Sequence, residues 1–135
     1  MQATLLDTKP INANRVRRSK SQVIELLRGV VDERQASYIA DQRGDRRYPL
    51  CVPVEVTPYD VKGQRSGEPF TAVTEDVSAG GMAFLHRYPT REQIVAISFP
   101  QSDNYADDRI ILQVTRRRAV GPLWEIAGRF ITESE

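Results

Sequence analysis

Two short stretches of this 135-residue chain carry side chains whose types and spacing could do chemistry. The first is Arg43-Gly44-Asp45-Arg46-Arg47, three guanidiniums within five residues that repel one another unless an anion lies among them. Guanidinium forks match phosphate oxygens two at a time, stack on purine rings, and donate to guanine O6 and N7. The second is Thr74-Glu75-Asp76-Val77-Ser78-Ala79-Gly80-Gly81-Met82, where a carboxylate, a hydroxyl and a glycine pair lie between two apolar runs. Its turn offers Asp76, Ser78 and the unshielded backbone of Gly80 and Gly81 to a polar ligand. Each stretch also has a plainer reading. The arginines could pair with surface carboxylates for about 0–1 kcal/mol each, and D-x-S-x-x-G describes many turns in which Asp or Ser caps neighbouring NH groups.

Catalysis finds little support. With one histidine, His86, and one cysteine, Cys51, there is neither a His/Cys set for zinc nor an internal disulfide. Cys51, beside a run of valines, reads as a small core residue, and Asp107-Asp108 as a solvated loop or a turn. Gly80-Gly81 lacks the downstream Lys-Ser/Thr of a phosphate-binding P-loop. We expect no enzyme and no cofactor. Nineteen basic against eighteen acidic side chains leave a formal charge of +1, without the excess of a general DNA or membrane-surface binder, so no DNA partner is expected. The start, Met1 to Asp7, lacks the basic and apolar regions of a signal peptide, and no window approaches the roughly 20 apolar residues of a membrane span. The expectation is a soluble, cytoplasmic protein.

The elements that must position these groups can be read from periodicity. Residues 1–18 show neither helical nor strand pattern and are expected to be a flexible tail. A capping box, Ser19 with Gln22, opens a helix from 20 to about 40 whose stripe includes Val23, Leu26, Leu27, Val30 and Val31, with Gly29 costing on the order of 1 kcal/mol in its middle. That stripe must be covered either by the following domain or by a second copy, which would make a homodimer through the helix. Beyond a boundary near 41 the texture turns to short strands: 51–57, with Pro53 marking an edge or a bulge, then 68–77, 82–87, 93–99, 109–120 and 123–132. A loop spans 59–67, and Gly121-Pro122 makes the last turn. Six antiparallel strands at this spacing predict a mainly β fold, a closed or nearly closed barrel over 41–135 behind the helix of 19–40.

R-x-x-x-R just before the first strand, followed some thirty residues later by D-x-S-x-x-G between the second and third, resembles the PilZ domain, a bacterial receptor family for cyclic di-GMP. Arg43 and Arg47 form the first motif, and Asp76, Ser78 and Gly81 the second. The closing Trp124-Glu125-Ile126-Ala127-Gly128-Arg129-Phe130 is similar to the family's last strand, so the resemblance spans roughly 41–132. It implies a six-stranded barrel that meets an arginine arm around the dinucleotide. Arg43, Arg46 and Arg47 would hold phosphates and guanine edges, and Asp76 would accept from guanine N1-H and N2-H. Ser78 would donate to phosphate or base, while Gly80 and Gly81 would admit the ligand to the backbone. Binding would order the arm, move the helix and signal to a partner protein that the residues do not name.

Two other readings compete. One is a degenerate module of this family that binds a protein and no nucleotide, which follows if the motif is aligned on Arg46, placing Leu50 at the second arginine. The other is a small barrel for single-stranded nucleic acid, using Arg116-Arg117-Arg118 and Tyr105.

Overall fold

A computed structural model of the chain describes residues 15–35 and 48–133, and it is mainly β. Among the described residues eight strands form in chain order: β1 (Arg15–Val16), β2 (Tyr48–Pro49), β3 (Pro53–Tyr59), β4 (Phe70–Val77), β5 (Gly81–His86), β6 (Ile94–Ser98), β7 (Asp108–Val120) and β8 (Leu123–Phe130), with one helix, α1 (Lys20–Gln35). The pairing runs β7-β6-β3-β4-β5-β8 and returns from β8 to β7, so the six long strands close an antiparallel barrel. Closure leaves no free edge within the ring. Residues directly opposite in register share a face, and the rows Val56–Ile97–Ile110, Val95–Leu112, Met82–Gly128–Val114 and Phe84–Ile126 fill the interior.

The ring is small enough that two strands must approach without side chains. A Cβ on Gly81 would lie 2.1 Å from the Gly128 carbonyl oxygen, and one on Gly128 would lie 2.2 Å from that of Gln113. Both glycines are therefore fixed by packing along the β5–β8–β7 seam. Gly121, at φ +59°, takes the backbone sign that a two-residue hairpin asks of its first residue.

The capping box forms in both directions: the Gln22 N–H donates to Ser19 Oγ at 3.1 Å, and Gln22 Oε1 accepts from the Ser19 N–H at 3.1 Å. Val23, Leu26, Leu27, Val30 and Val31 are all buried in the same core as the barrel residues. The described part of the stripe is thus covered by its own chain; Tyr38 and Ile39, which continue it in sequence, lie outside the described residues. Gly29 has a packing reason, since a Cβ there would sit 2.2 Å from the Tyr105 ring. Glu33 accepts from Ser102 Oγ at 2.9 Å and Asn104 Nδ2 at 3.0 Å, which ties the helix to the loop before β7.

Several expectations differ from what forms. Residues 15–18 of the expected tail are structured: β1 pairs in parallel with the start of β7, Arg15 opposite Asp108 and Val16 opposite Arg109. The cause is Asp108, which is fully buried rather than solvated. Arg15 Nη2 and Arg17 Nη2 donate to its Oδ2 at 3.0 and 3.2 Å; Arg15 Nε lies 2.8 Å from Oδ1, an ion pair by distance whose N–H is not aligned for a hydrogen bond. Cys51 is exposed, because it alternates with buried Leu50 and Val52. Pro53 is not on an edge strand, since β3 pairs with both β4 and β6. It sits at the first residue of β3, where only β4 is in register, so its missing N–H leaves no ladder position empty. The strand runs on to Tyr59, two residues past its expected end and one residue into the expected hairpin loop. Helix residues 36–40, residues 1–14, and Arg43, Arg46 and Arg47 lie outside the described residues.

Asp108→Ala would leave Arg17, whose side chain is 14% exposed, without its main counter-charge and would free β1 from β7. We expect a loss of about 1–3 kcal/mol in urea unfolding, reduced from a fully buried pair because Arg15 is largely exposed. An unchanged unfolding midpoint would show that the strap contributes nothing.

Candidate functional site

Alternation along β4 breaks once, and that break decides what the site presents. Thr74 opposes Phe84 and points inward, but the next partnered residue is Asp76, opposite Ala83; Glu75 is the extra residue of a bulge. Without the bulge Asp76 would stand opposite Met82, which is buried in the interior. With it, Glu75 and Asp76 both lie on the outer face, while Val77 turns inward opposite Met82.

The chain that follows the arginine stretch is stitched to this same edge. Tyr48 pairs with Val77 and Pro49 with Asp76, and the Leu50 N–H donates to the Glu75 carbonyl at 3.3 Å. Buried Thr74 completes the attachment: its hydroxyl donates to the Leu50 carbonyl and accepts from the Val52 N–H at 3.0 Å, and its own N–H donates to the Val52 carbonyl at 3.0 Å. Nothing in the sequence alone marked Thr74, because a threonine in a strand needs no special reason.

At the turn, Ser78 is buried and faces its own loop. Its N–H donates to the Gly81 carbonyl at 2.9 Å, and its hydroxyl accepts from the N–H groups of Gly80 and Gly81 at 3.3 Å each. The plain capping reading thus applies to Ser78. Gly81 is buried against β8, whereas a Cβ on Gly80 would meet nothing within 4 Å, so Gly80 holds the open backbone of the pair. Gly80 also accepts from the Phe130 N–H at 2.9 Å. Asp76 is half-buried and keeps interactions within the fold.

Two groups outside the sequence-predicted set join the patch. Glu125 on β8 is buried on the outer side of the barrel, and Arg116 Nη2 and Arg118 Nη2 approach its Oε1 at 3.1 and 3.0 Å. Glu75 hydrogen-bonds to Glu125, and this pushes the Glu75 carboxyl up to about 7; desolvation and the charges of Glu125 and Asp76 act the same way, while Arg118 opposes them. The same hydrogen bond, from Glu75, holds Glu125 below the usual carboxylate range with help from Arg118 and Arg116, against the effect of burial. The signal for Arg118 with Glu125 was present in the sequence. Counting back from the Gly121-Pro122 turn pairs Val120 with Leu123, Ala119 with Trp124 and Arg118 with Glu125.

Between this edge and the end of α1 lies a cleft of about 420 Å³, lined by Glu33, Arg34, Pro49, Leu50, Cys51, Val52 and Glu75. The arginine triplet does not make a second groove. Arg116 and Arg118 serve Glu125, and Arg117 donates to the carbonyls of Thr90, Arg91 and Glu92 at 2.5–3.4 Å. His86 stacks on Phe70 with ring centroids 4.2 Å apart and bonds the Tyr88 backbone. Among the described residues no group of three or more His, Cys, Asp or Glu could hold a metal, and no helix is long and apolar enough to cross a membrane.

No protein-family model matches the chain, and no curated protein does. Among solved structures, it is similar to the Bacillus subtilis inhibitor of motility MotI/DgrA, at 16% identity and a TM-score of 0.47 over 67% of this chain. It is also similar to K. pneumonia MrkH, solved as a c-di-GMP complex, at 16% identity and a TM-score of 0.46 over 67% of this chain. The chain spans 43% and 45% of the lengths of those two proteins.

If Ser78 and Thr74 act on the fold as drawn here, both are felt without any ligand. Ser78→Ala should lower stability by about 0.5–2 kcal/mol and Thr74→Val by about 1–3 kcal/mol in chemical denaturation. Thr74→Val should also speed amide exchange at Leu50 and Val52. Wild-type stability and exchange in both variants would show that the turn and the stitch hold themselves.

Proposed function

We propose that the chain is a receptor for cyclic di-GMP whose arginine stretch and glycine turn form one site, and that it passes ligand binding to a partner through a change in the arm. The observation that carries this reading is the pairing of Tyr48–Pro49 with Asp76–Val77. Arg47 is joined directly to Tyr48, so the chain that leaves the first motif enters the barrel beside Asp76, about thirty residues further along the sequence. The residue chemistry suits a ligand with two phosphates and two guanines. Arg43, Arg46 and Arg47 supply bidentate donors for phosphate oxygens and for guanine O6 and N7. Asp76, turned outward by the bulge, supplies an acceptor for guanine N1-H and N2-H, a donor pair that adenine does not present. Gly80 leaves its backbone open beside it.

Ser78 and Gly81 enter this reading differently from the other motif residues. They build the turn, and the ligand meets Asp76 and Gly80 upon it.

Calorimetric titration of the purified chain with cyclic di-GMP tests the assignment. Arg43→Ala, Arg47→Ala and Asp76→Ala should each weaken binding by about tenfold or more, the loss expected for a charge-assisted hydrogen bond. Cyclic di-AMP should bind more weakly by a similar factor. Unchanged affinity in all three variants would move the site elsewhere, and no heat or shift with wild-type protein would favour the protein-interaction module.

A further inference from the structure

Two carboxyl groups in hydrogen-bond contact need one proton between them, because two carboxylates so close repel. Glu75, set on the outer face by the bulge of β4, and Glu125, on the same outer face of β8 with only β5 between the two strands, are such a pair. Each is held where it is by the fold. Glu125 is buried on β8 beneath Arg116 and Arg118, and Glu75 is the bulge residue of β4, with its carbonyl tied to the Leu50 N–H. Glu75 is also the chain neighbour of Asp76, and it lines the cleft of about 420 Å³, a size common among small-molecule sites.

We propose that the Glu75–Glu125 pair is a proton-linked part of the ligand site, which takes up protons from solvent when an anionic dinucleotide binds beside Asp76. The inference rests on the receptor reading above and assigns a role to two residues outside both motifs. With the shared proton the pair carries one negative charge, balanced by Arg116 and Arg118. Without it, a second negative charge stands next to Asp76 on the face that the phosphates approach. An anionic ligand disfavours that second charge, so its presence raises the affinity of the pair for the proton, and by reciprocity the proton raises affinity for the ligand. Among the described residues, the other charged or titratable groups on the elements around Glu75 are Asp76 on β4, Tyr48 on β2, Arg116 and Arg118 on β7, Glu33 and Arg34 on α1 across the cleft, and Cys51 before β3. Glu33 is engaged by Ser102 and Asn104. Below about pH 7 Glu75 is neutral and the site is receptive; above it, Glu75 ionises and affinity falls.

Two measurements test the proposal. The first needs no ligand: carboxyl-carbon NMR of the apo chain should show Glu75 titrating near 7, and near the ordinary glutamate range in Glu125→Gln. The second is calorimetry with cyclic di-GMP between about pH 5.5 and 8.5 in two buffers of different ionisation heat. Wild type should bind roughly three- to tenfold more weakly at the upper end and take up protons near neutrality. Glu75→Gln, exposed and with an amide that still donates to Glu125, should lose both effects. An ordinary Glu75 titration, or the same pH profile in wild type and Glu75→Gln, overturns the coupling and leaves the receptor reading standing. No binding by wild type at any pH overturns both, and the apo titration then reports only whether the pair exists.

Discussion

A single buried hydroxyl, that of Thr74, decides where the arginine side of the molecule meets the barrel. It accepts from the Val52 N–H and donates to the Leu50 carbonyl, so residues 50–52 cannot leave β4 without exposing or orphaning polar groups inside the protein. The two-residue strand β2 is too short to hold itself in place. It is held because the Thr74 contacts follow it in sequence and the Leu50 N–H bonds the bulge carbonyl of Glu75. The register of Tyr48 with Val77 and of Pro49 with Asp76 depends on this attachment.

The bulge beside it does the complementary work. A strict period of two would send Asp76 into a core of Phe84, Met82 and Ile126, where an unpaired carboxylate is untenable. One inserted residue reverses that placement and sets two carboxyls, Glu75 and Asp76, side by side on the outer surface. Crowding of negative charge follows directly. Glu125 beneath them is buried and needs Arg116 and Arg118, and even with both arginines the patch leaves Glu75 able to keep its proton to about pH 7. The perturbed carboxyl thus has its origin in strand geometry.

Much of the fold could be read from pattern alone, since valines at 52, 54 and 56, the capping box at Ser19 and the Gly121-Pro122 turn each act locally. The misread residues share another property: their environment is made by chain distant in sequence. Asp108 looks like loop until Arg15 and Arg17, more than ninety residues away, neutralise it. Pro53 looks like an edge residue until register places it where only one neighbour is in reach. Gly29 looks like a weakness in a helix until Tyr105 fills its place. Cys51 is a different case, because the alternation with Leu50 and Val52 was already visible and pointed it outward.

The glycine turn shows why the residues of one motif need not share one structural role. D-x-S-x-x-G joins two kinds of position. Ser78 and Gly81 face inward: one hydroxyl takes two N–H groups of its own loop, and one missing Cβ lets β5 approach β8. Asp76 and Gly80 face outward, one by virtue of a bulge and the other because nothing lies over it. The inward pair fixes the turn, and a fixed turn holds the outward pair in one geometry. The same residues would then appear in a turn with no ligand at all. What this turn adds to an ordinary hairpin is therefore its outward half: an acceptor set by the bulge and bare backbone beside it.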